Sequence, residues 1–182
     1  MTSITVNEQV SVNVGDTIPD GTLKYVPYSP ELADHSACGI PQDYKTSEQW
    51  KGKKVVVVST PGAFTPTCHQ QHLPGFIKHY DALTKEKGVD IIVVLAANDP
   101  FVMSAWGRVE GLPEKRKIIY ASDPNAQWSS SLGLAKDLTA VGFGVRTQRY
   151  VLILNNQKVA FIATEDGPGL KNSSAEEVLA HL

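Results

Sequence analysis

Val55-Val56-Val57-Val58-Ser59-Thr60-Pro61-Gly62-Ala63-Phe64-Thr65-Pro66-Thr67-Cys68 is the stretch that decides how this chain folds. Its four valines form a short β-branched run, the pattern of a buried strand. After the Pro-Gly break, Thr65 is placed as a helix N-cap and Pro66 at the first helical position. From Thr67 to Lys87 the apolar residues Leu73, Phe76, Ile77, Tyr80 and Leu83 recur at helical spacing. Pro74 inside that run predicts a kink. Val89 to Ala97 follows with the length and composition of a second strand. Strand, helix and strand make a βαβ unit whose strands are expected to be parallel neighbours.

Cys68 falls in the first turn of the helix. A thiol there faces unpaired backbone N–H groups and the positive end of the helix dipole, both of which favour the thiolate. A free thiol has a pKa of about 8.5, and the thiolate is the nucleophile. Position alone leaves two readings open, because a free cysteine is equally a small buried hydrophobe.

Outside this unit the chain continues to alternate strands and helices. Residues 1–16 read as a loose lead-in with room for one strand. Thr22 to Tyr28 alternates as a strand, and Tyr28 to Tyr44, with Pro30, Gly39 and Pro41, reads as a loop. Asp99 caps a helix that begins at Pro100 and runs to about Val109. Lys117 to Ala121 is a short strand, and Asp123-Pro124 repeats the cap before a helix to about Leu132. Arg149 to Leu154 and Lys158 to Thr164 flank Asn155-Asn156-Gln157 as a β-hairpin. Ser173-Ser174-Ala175-Glu176-Glu177 opens a terminal helix with acids in its first turn. The expectation is one α/β domain over residues 1–182, with no linker and no repeat.

The chain has 182 residues, with 19 Asp and Glu against 17 Lys and Arg, a formal charge of −2. That balance argues against a nucleic-acid binder, which shows a basic excess. No apolar run reaches membrane-spanning length. The start lacks the basic and apolar segments of a secretory signal. Two cysteines make no disulfide framework, so a reducing, cytoplasmic setting is expected. Ala180-His181-Leu182 loosely matches a peroxisomal tripeptide signal.

Pro61-x-x-x-Thr65-x-x-Cys68 is the pattern of the peroxiredoxin active site. The longer string from Pro61 to Phe76 resembles the Prx5 subfamily, including its fungal alkyl hydroperoxide reductases. Asn98 to Gly107, Ala121-Ser122-Asp123-Pro124 and Arg149 before a late strand extend the resemblance over roughly Asp16 to Leu182. It implies a thioredoxin-like fold, with a central mixed sheet flanked by helices. It also implies a peroxidase that reduces hydrogen peroxide and organic hydroperoxides, without metal, haem or flavin.

Carried over by position, Cys68 is the peroxidatic thiolate that becomes a sulfenic acid. Thr65 and Arg149 are donors where charge develops, and Pro61 walls the site from water. Each has a plainer reading: Thr65 as a cap only, Arg149 as a surface ion-pair partner like its neighbour Arg146, Pro61 as a strand end. Cys38 matches the early resolving cysteine of the fungal members. The resemblance implies that it resolves Cys68 as a disulfide once the first helical turn is released; a pairing across a homodimer is expected, and one within the chain stays open. A thioredoxin-like dithiol would then be the reductant. Phe64, Phe101 and Trp106 are candidates to line the site or a dimer contact, and equally to pack in the core.

Competing chemistries are thinner. His69 and His72 beside Cys68 could suggest acyl transfer, but no Asn or Asp is placed to orient the imidazole; His72 reads as a structural hydrogen-bonding residue. No metal-ligand spacing appears. Absence of Cys-x-x-Cys argues against a protein dithiol oxidoreductase. A thioredoxin-fold binding or chaperone-like protein without catalysis is the alternative.

Overall fold

Val55, Val56, Val57 and Val58 are all fully buried, and they alternate between two separate apolar cores. Val56 and Val58 join Phe76, Ile92, Met103 and Trp106 on one face of a sheet; Val55 and Val57 join Trp50, Leu95, Trp128 and Leu152 on the other. A strand covered on both faces needs no polar alternation, which is why this run reads as continuously hydrophobic.

The computed structural model describes residues 9–34, 36–111, 115, 117–167 and 169–182. In chain order its strands and helices are β1 (Thr22–Tyr25), β2 (Gln42–Lys45), α1 (Thr46–Gln49), β3 (Lys54–Ser59), α2 (Leu73–Lys78), β4 (Ile91–Ala96), α3 (Pro100–Val109), β5 (Ile118–Ser122), α4 (Gln127–Ser131), β6 (Ala135–Leu138), β7 (Gly144–Thr147), β8 (Tyr150–Asn155), β9 (Lys158–Thr164) and α5 (Ala175–Ala180). Seven strands form one mixed sheet in the order β2-β1-β5-β4-β3-β8-β9, and β6 pairs with β7 apart from it. The β3–β4 pair is parallel, as the βαβ spacing requires; β3–β8 and β8–β9 are antiparallel. The hairpin turn between β8 and β9 puts Asn156 and Gln157 at φ 47° and 67°, the left-handed pair that a two-residue turn needs.

Several elements differ from the sequence expectation. The segment read as a loop up to Tyr44 ends in the edge strand β2, where only Tyr44 is buried. One apolar residue in four carries no periodicity to read. The β6–β7 hairpin escaped for the same reason, with Lys136, Asp137 and Arg146 in its strands.

The helix after Cys68 is broken rather than merely kinked. Cys68 to His72 is a π-helical turn, in which Leu73 N–H reaches back to the Cys68 carbonyl, and a second such turn runs from Ala82 to Glu86. Pro74 follows the first break directly and has no N–H to continue an α-helical ladder.

The two acid caps also diverge. Asp99 accepts from Phe101 and Val102 N–H as expected. Asp123 instead accepts from Trp128 and Ser129 N–H, across a bend in which Asn125 and Ala126 are left-handed. The strand allowed in the lead-in falls partly on residues 1–8, outside the described residues. Residues 9–16 form no strand.

Candidate active site

Three chain segments meet at the carboxyl ends of β3 and β4, where β3 has a parallel neighbour on one side and an antiparallel one on the other. Open α/β sheets place ligand sites at such a point. Ser59, the last residue of β3, pairs with Leu95 of β4 and with Tyr150 of β8. Because β8 runs the opposite way, Arg149 just before it stands beside Thr60 and Pro61. β9 ends at the same place: Thr164 pairs with Tyr150, and Glu165 N–H donates to the Arg149 carbonyl at 3.1 Å. Pro61 and Arg149 line one cavity of about 580 Å³ with Lys136, Gln148, Glu165 and Asp166.

The loop after β3 is folded tightly. Thr65 starts the helix through its carbonyl, which accepts His69 N–H at 2.9 Å. Its hydroxyl does not cap that helix; it donates to the Gly62 carbonyl at 2.9 Å. Ala63 N–H donates to Asn98 Oδ1 at 2.9 Å, and Phe64, between Ala63 and Thr65, sits at φ 61°. Cys68 follows, fully buried, at the start of the π-helical turn.

The other end of that turn holds Arg149. Arg149 Nη1 donates to His72 Nδ1 at 3.2 Å, and His72 Nε2 donates to the Ser173 carbonyl at 2.8 Å. Burial chiefly, with help from the Arg149 charge and against the Ser173 carbonyl, holds the His72 pKa down at about 4. The ring is therefore neutral at physiological pH, which is the state that can accept from a guanidinium. Ser173 is fixed in turn by Glu165, whose Oε1 accepts from the N–H groups of Lys171, Asn172 and Ser173 and from the Ser173 hydroxyl. Burial pushes the Glu165 pKa up, but those hydrogen bonds outweigh it and the net direction is down.

Comparison with known proteins decides what this arrangement belongs to. The chain matches the Redoxin family over residues 13–179. A putative peroxiredoxin of Malassezia furfur is 48% identical over 169 residues, covering 93% of this chain and 99% of that protein. A putative peroxisomal peroxiredoxin of Lipomyces kononenkoae is 45% identical over 163 residues, covering 90% and 96%. Among solved structures, reduced Prx3 from Vibrio vulnificus in complex with H2O2 superposes with a TM-score of 0.80 at 38% identity, covering 93% of this chain and 98% of that one.

The chain is a peroxiredoxin.

As a peroxiredoxin it is a thiol-dependent peroxidase with a thioredoxin-like fold, and the family takes a hydroperoxide substrate and a thiol reductant. A binding protein without catalysis is correspondingly disfavoured. In this peroxiredoxin Pro61 and Arg149 line one cavity, the Thr65 hydroxyl closes its loop onto Gly62, and Arg149 bonds His72 at the far end of the turn that Cys68 opens. Arg149 is buried, so it is not a surface ion-pair partner. Arg146 is not one either, since it bonds the Phe143 carbonyl and Asn98.

Cys38 lies apart. It is exposed, Cys68 is buried, and the two thiols are free. Arg108 of α3 steadies the Cys38 segment by donating to the Leu32 and Ala37 carbonyls at 3.3 and 3.4 Å. Two residues away on the same helix, Trp106 grips the turn that carries Cys68. Its indole N–H lies 3.0 Å from His69 Nδ1, and Glu110 Oε1 lies 2.6 Å from the same nitrogen. The indole only donates and an ionised carboxylate only accepts, so the nitrogen serves one of them at a time. Serving Trp106 leaves Glu110 Oε1 buried without a hydrogen bond.

Trp106 is fully buried, whereas Phe64 and Phe101 are 46% and 50% exposed. The sequence did not single out Asn98, Arg146 or Glu165 as site residues. His72, four residues after Cys68 and hence on its side of a helix, did carry a signal.

Proposed function

We propose that Cys68 is the peroxidatic cysteine, that Thr65, Arg149 and Pro61 assist it, and that Cys38 resolves it. The observation that carries this is the link from the Cys68 turn through His72 to the buried Arg149.

The Cys68 thiolate attacks the terminal oxygen of a hydroperoxide, the O–O bond breaks, and the departing alkoxide takes a proton from solvent. Cys68 becomes a sulfenic acid. Thr65 spends its one hydroxyl proton on the Gly62 carbonyl, so toward the substrate its oxygen can only accept. It accepts a hydrogen bond from the O–H of the incoming hydroperoxide and so orients it. Arg149 keeps further N–H donors beyond the one given to His72, and these stabilise the charge that moves to the departing oxygen. Pro61 offers no N–H and shields the cavity wall from water.

The Cys38 thiol then attacks the Cys68 sulfenic acid, releasing water and forming a disulfide. Bonded cysteines need Cα atoms within about 7 Å. Cys68 starts buried, so its helical turn must open first. An exposed Cys38 and the half-exposed Phe64 and Phe101 support a homodimer in which the disulfide joins two copies. A thioredoxin-like dithiol reduces it. The whole chain acts as one domain, in the cytoplasm or in peroxisomes, the latter supported by the name of the Lipomyces relative. Among the described residues no helix is long and apolar enough to cross a membrane.

Reduced protein treated with one equivalent of hydrogen peroxide and run on a non-reducing gel tests the assignment. The expected result is a covalent dimer that vanishes in both Cys68→Ser and Cys38→Ser. A disulfide within one chain would discard the intersubunit link. A Cys38→Ser variant that turns over normally with thioredoxin would remove the resolving role.

A further inference from the structure

We propose that Asn98 and Arg146 are positioning residues for the oxidation of Cys68, an inference that rests on the peroxidase reading of that cysteine. They lie on different elements, Asn98 just after β4 and Arg146 in β7, and they meet beneath the loop that leads to Cys68. Asn98 Oδ1 accepts two hydrogen bonds, from Ala63 N–H at 2.9 Å and from Arg146 Nη1 at 3.1 Å. Arg146 is itself anchored, with Nε donating to the Phe143 carbonyl at 2.8 Å and its guanidinium carbon 5.5 Å from the centre of the Phe143 ring.

Among the described residues no carboxylate pairs with Arg146. Its charge instead strengthens a hydrogen bond to a neutral oxygen. That same oxygen, held on one side by a cation, holds the loop on the other.

The loop needs holding. Phe64 sits at φ 61°, a conformation that a bulky residue keeps only where its surroundings over-determine it. Gly62 leaves little slack, since a Cβ there would stand 3.1 Å from Thr65 Cγ2. The Gly62 carbonyl is the acceptor that fixes the Thr65 hydroxyl. Ala63 is the residue between Gly62 and Phe64, so its N–H is where a clamp controls both. Losing the clamp lets Phe64 relax out of the left-handed region and turns the Gly62 carbonyl away. Thr65 then no longer presents a fixed acceptor to the hydroperoxide. Neither clamp residue touches the reacting atoms; both act through Ala63.

The test measures two rate constants on the full-length reduced protein: oxidation of Cys68 by hydrogen peroxide, followed by stopped-flow tryptophan fluorescence, and alkylation of Cys68 by iodoacetamide. Asn98→Ala is expected to slow oxidation on the order of ten- to a hundredfold, the scale of a reacting geometry displaced by about an ångström. Alkylation makes no demand on peroxide orientation and is expected to change little. Asn98→Asp keeps the acceptor oxygen beside Arg146 and is expected to recover most of the loss. Arg146→Gln leaves the Asn98 bond to Ala63 in place and is expected to slow oxidation in the same direction by less; it serves if Asn98→Ala does not fold.

Oxidation at the wild-type rate in Asn98→Ala overturns the proposal. So does a parallel change in oxidation and alkylation, which would mean general loosening, and so does an Asn98→Asp variant as slow as Asn98→Ala. A wild-type protein that reacts no faster than an ordinary thiol overturns the peroxidase assignment of Cys68, and the clamp with it. A fast wild type with an indifferent Asn98→Ala overturns the clamp alone.

Discussion

Acidification should unfold this protein along a path that His72 partly sets. The ring is buried between Arg149 and the Ser173 carbonyl, and its pKa is held at about 4 against an ordinary value of 6.5. In the unfolded chain the imidazole takes up a proton below about pH 6.5, whereas the folded ring resists until near 4. Within that window the unfolded state binds more protons, so stability falls as the pH falls. The His72 contribution is therefore fully present above the upper value, is lost progressively below it, and changes no further once the pH is under the lower one.

The gap between 6.5 and about 4, at about 1.4 kcal/mol per unit, amounts to roughly 3 kcal/mol in total and about 2 kcal/mol by pH 5. Guanidinium unfolding of wild type and His72→Gln, followed by tryptophan fluorescence at several pH values, isolates the ring. Gln at that position does not titrate, so the stability difference between the proteins should shrink by about 2 kcal/mol between pH 8 and pH 5. Parallel profiles, within the error of the extrapolation, would refute the reasoning and mean that the folded ring titrates as it does in the open chain.

Other consequences can be checked singly. Arg149→Met should lower the rate of peroxide reduction by roughly a hundred- to a thousandfold, as removal of a charge-stabilising donor does elsewhere. Steady-state kinetics would show it, and a loss of less than tenfold would deny Arg149 that role. Ser174 caps α5 by accepting from Glu177 N–H at 3.1 Å. Ser174→Ala should cost about 1 kcal/mol of stability in urea, and no measurable cost would mean that the cap is dispensable. Leu95 is fully buried in β4, so Leu95→Ala should cost about 2–5 kcal/mol, seen as a lowered thermal midpoint.

The parts of the fold that the sequence announced are those where burial is two-sided or chemistry is local. Val55 to Val58 had to be a central strand, and Asp99-Pro100 had to open a helix, because each signal lies within a few adjacent residues. β2, β6 and β7 are short, mostly polar strands whose existence depends on partners distant in the chain, and no period within them reveals that. The π-helical turns are equally hidden, since they fall at Cys68 to His72 and Ala82 to Glu86, at the two ends of the ordinary helical spacing from Leu73 to Leu83.

The site divides in the same way. Thr65 and Cys68 lie three residues apart, so a motif marks them. Arg149 depends on the register of β8 against β3, which only a resemblance could supply. Glu165 and Asn98 hold backbone groups of other segments, and Arg146 holds the Asn98 side chain; hydrogen bonds of that kind leave no pattern in the order of residues.

The most direct measurement is the rate at which the fully reduced protein consumes one equivalent of hydrogen peroxide, run beside Cys68→Ser. Loss of peroxide orders of magnitude faster than by a free thiol, and abolished by the substitution, is the expected result. A rate no better than that of an exposed cysteine, or one that survives in Cys68→Ser, would contradict the assignment of Cys68 as the reacting sulfur.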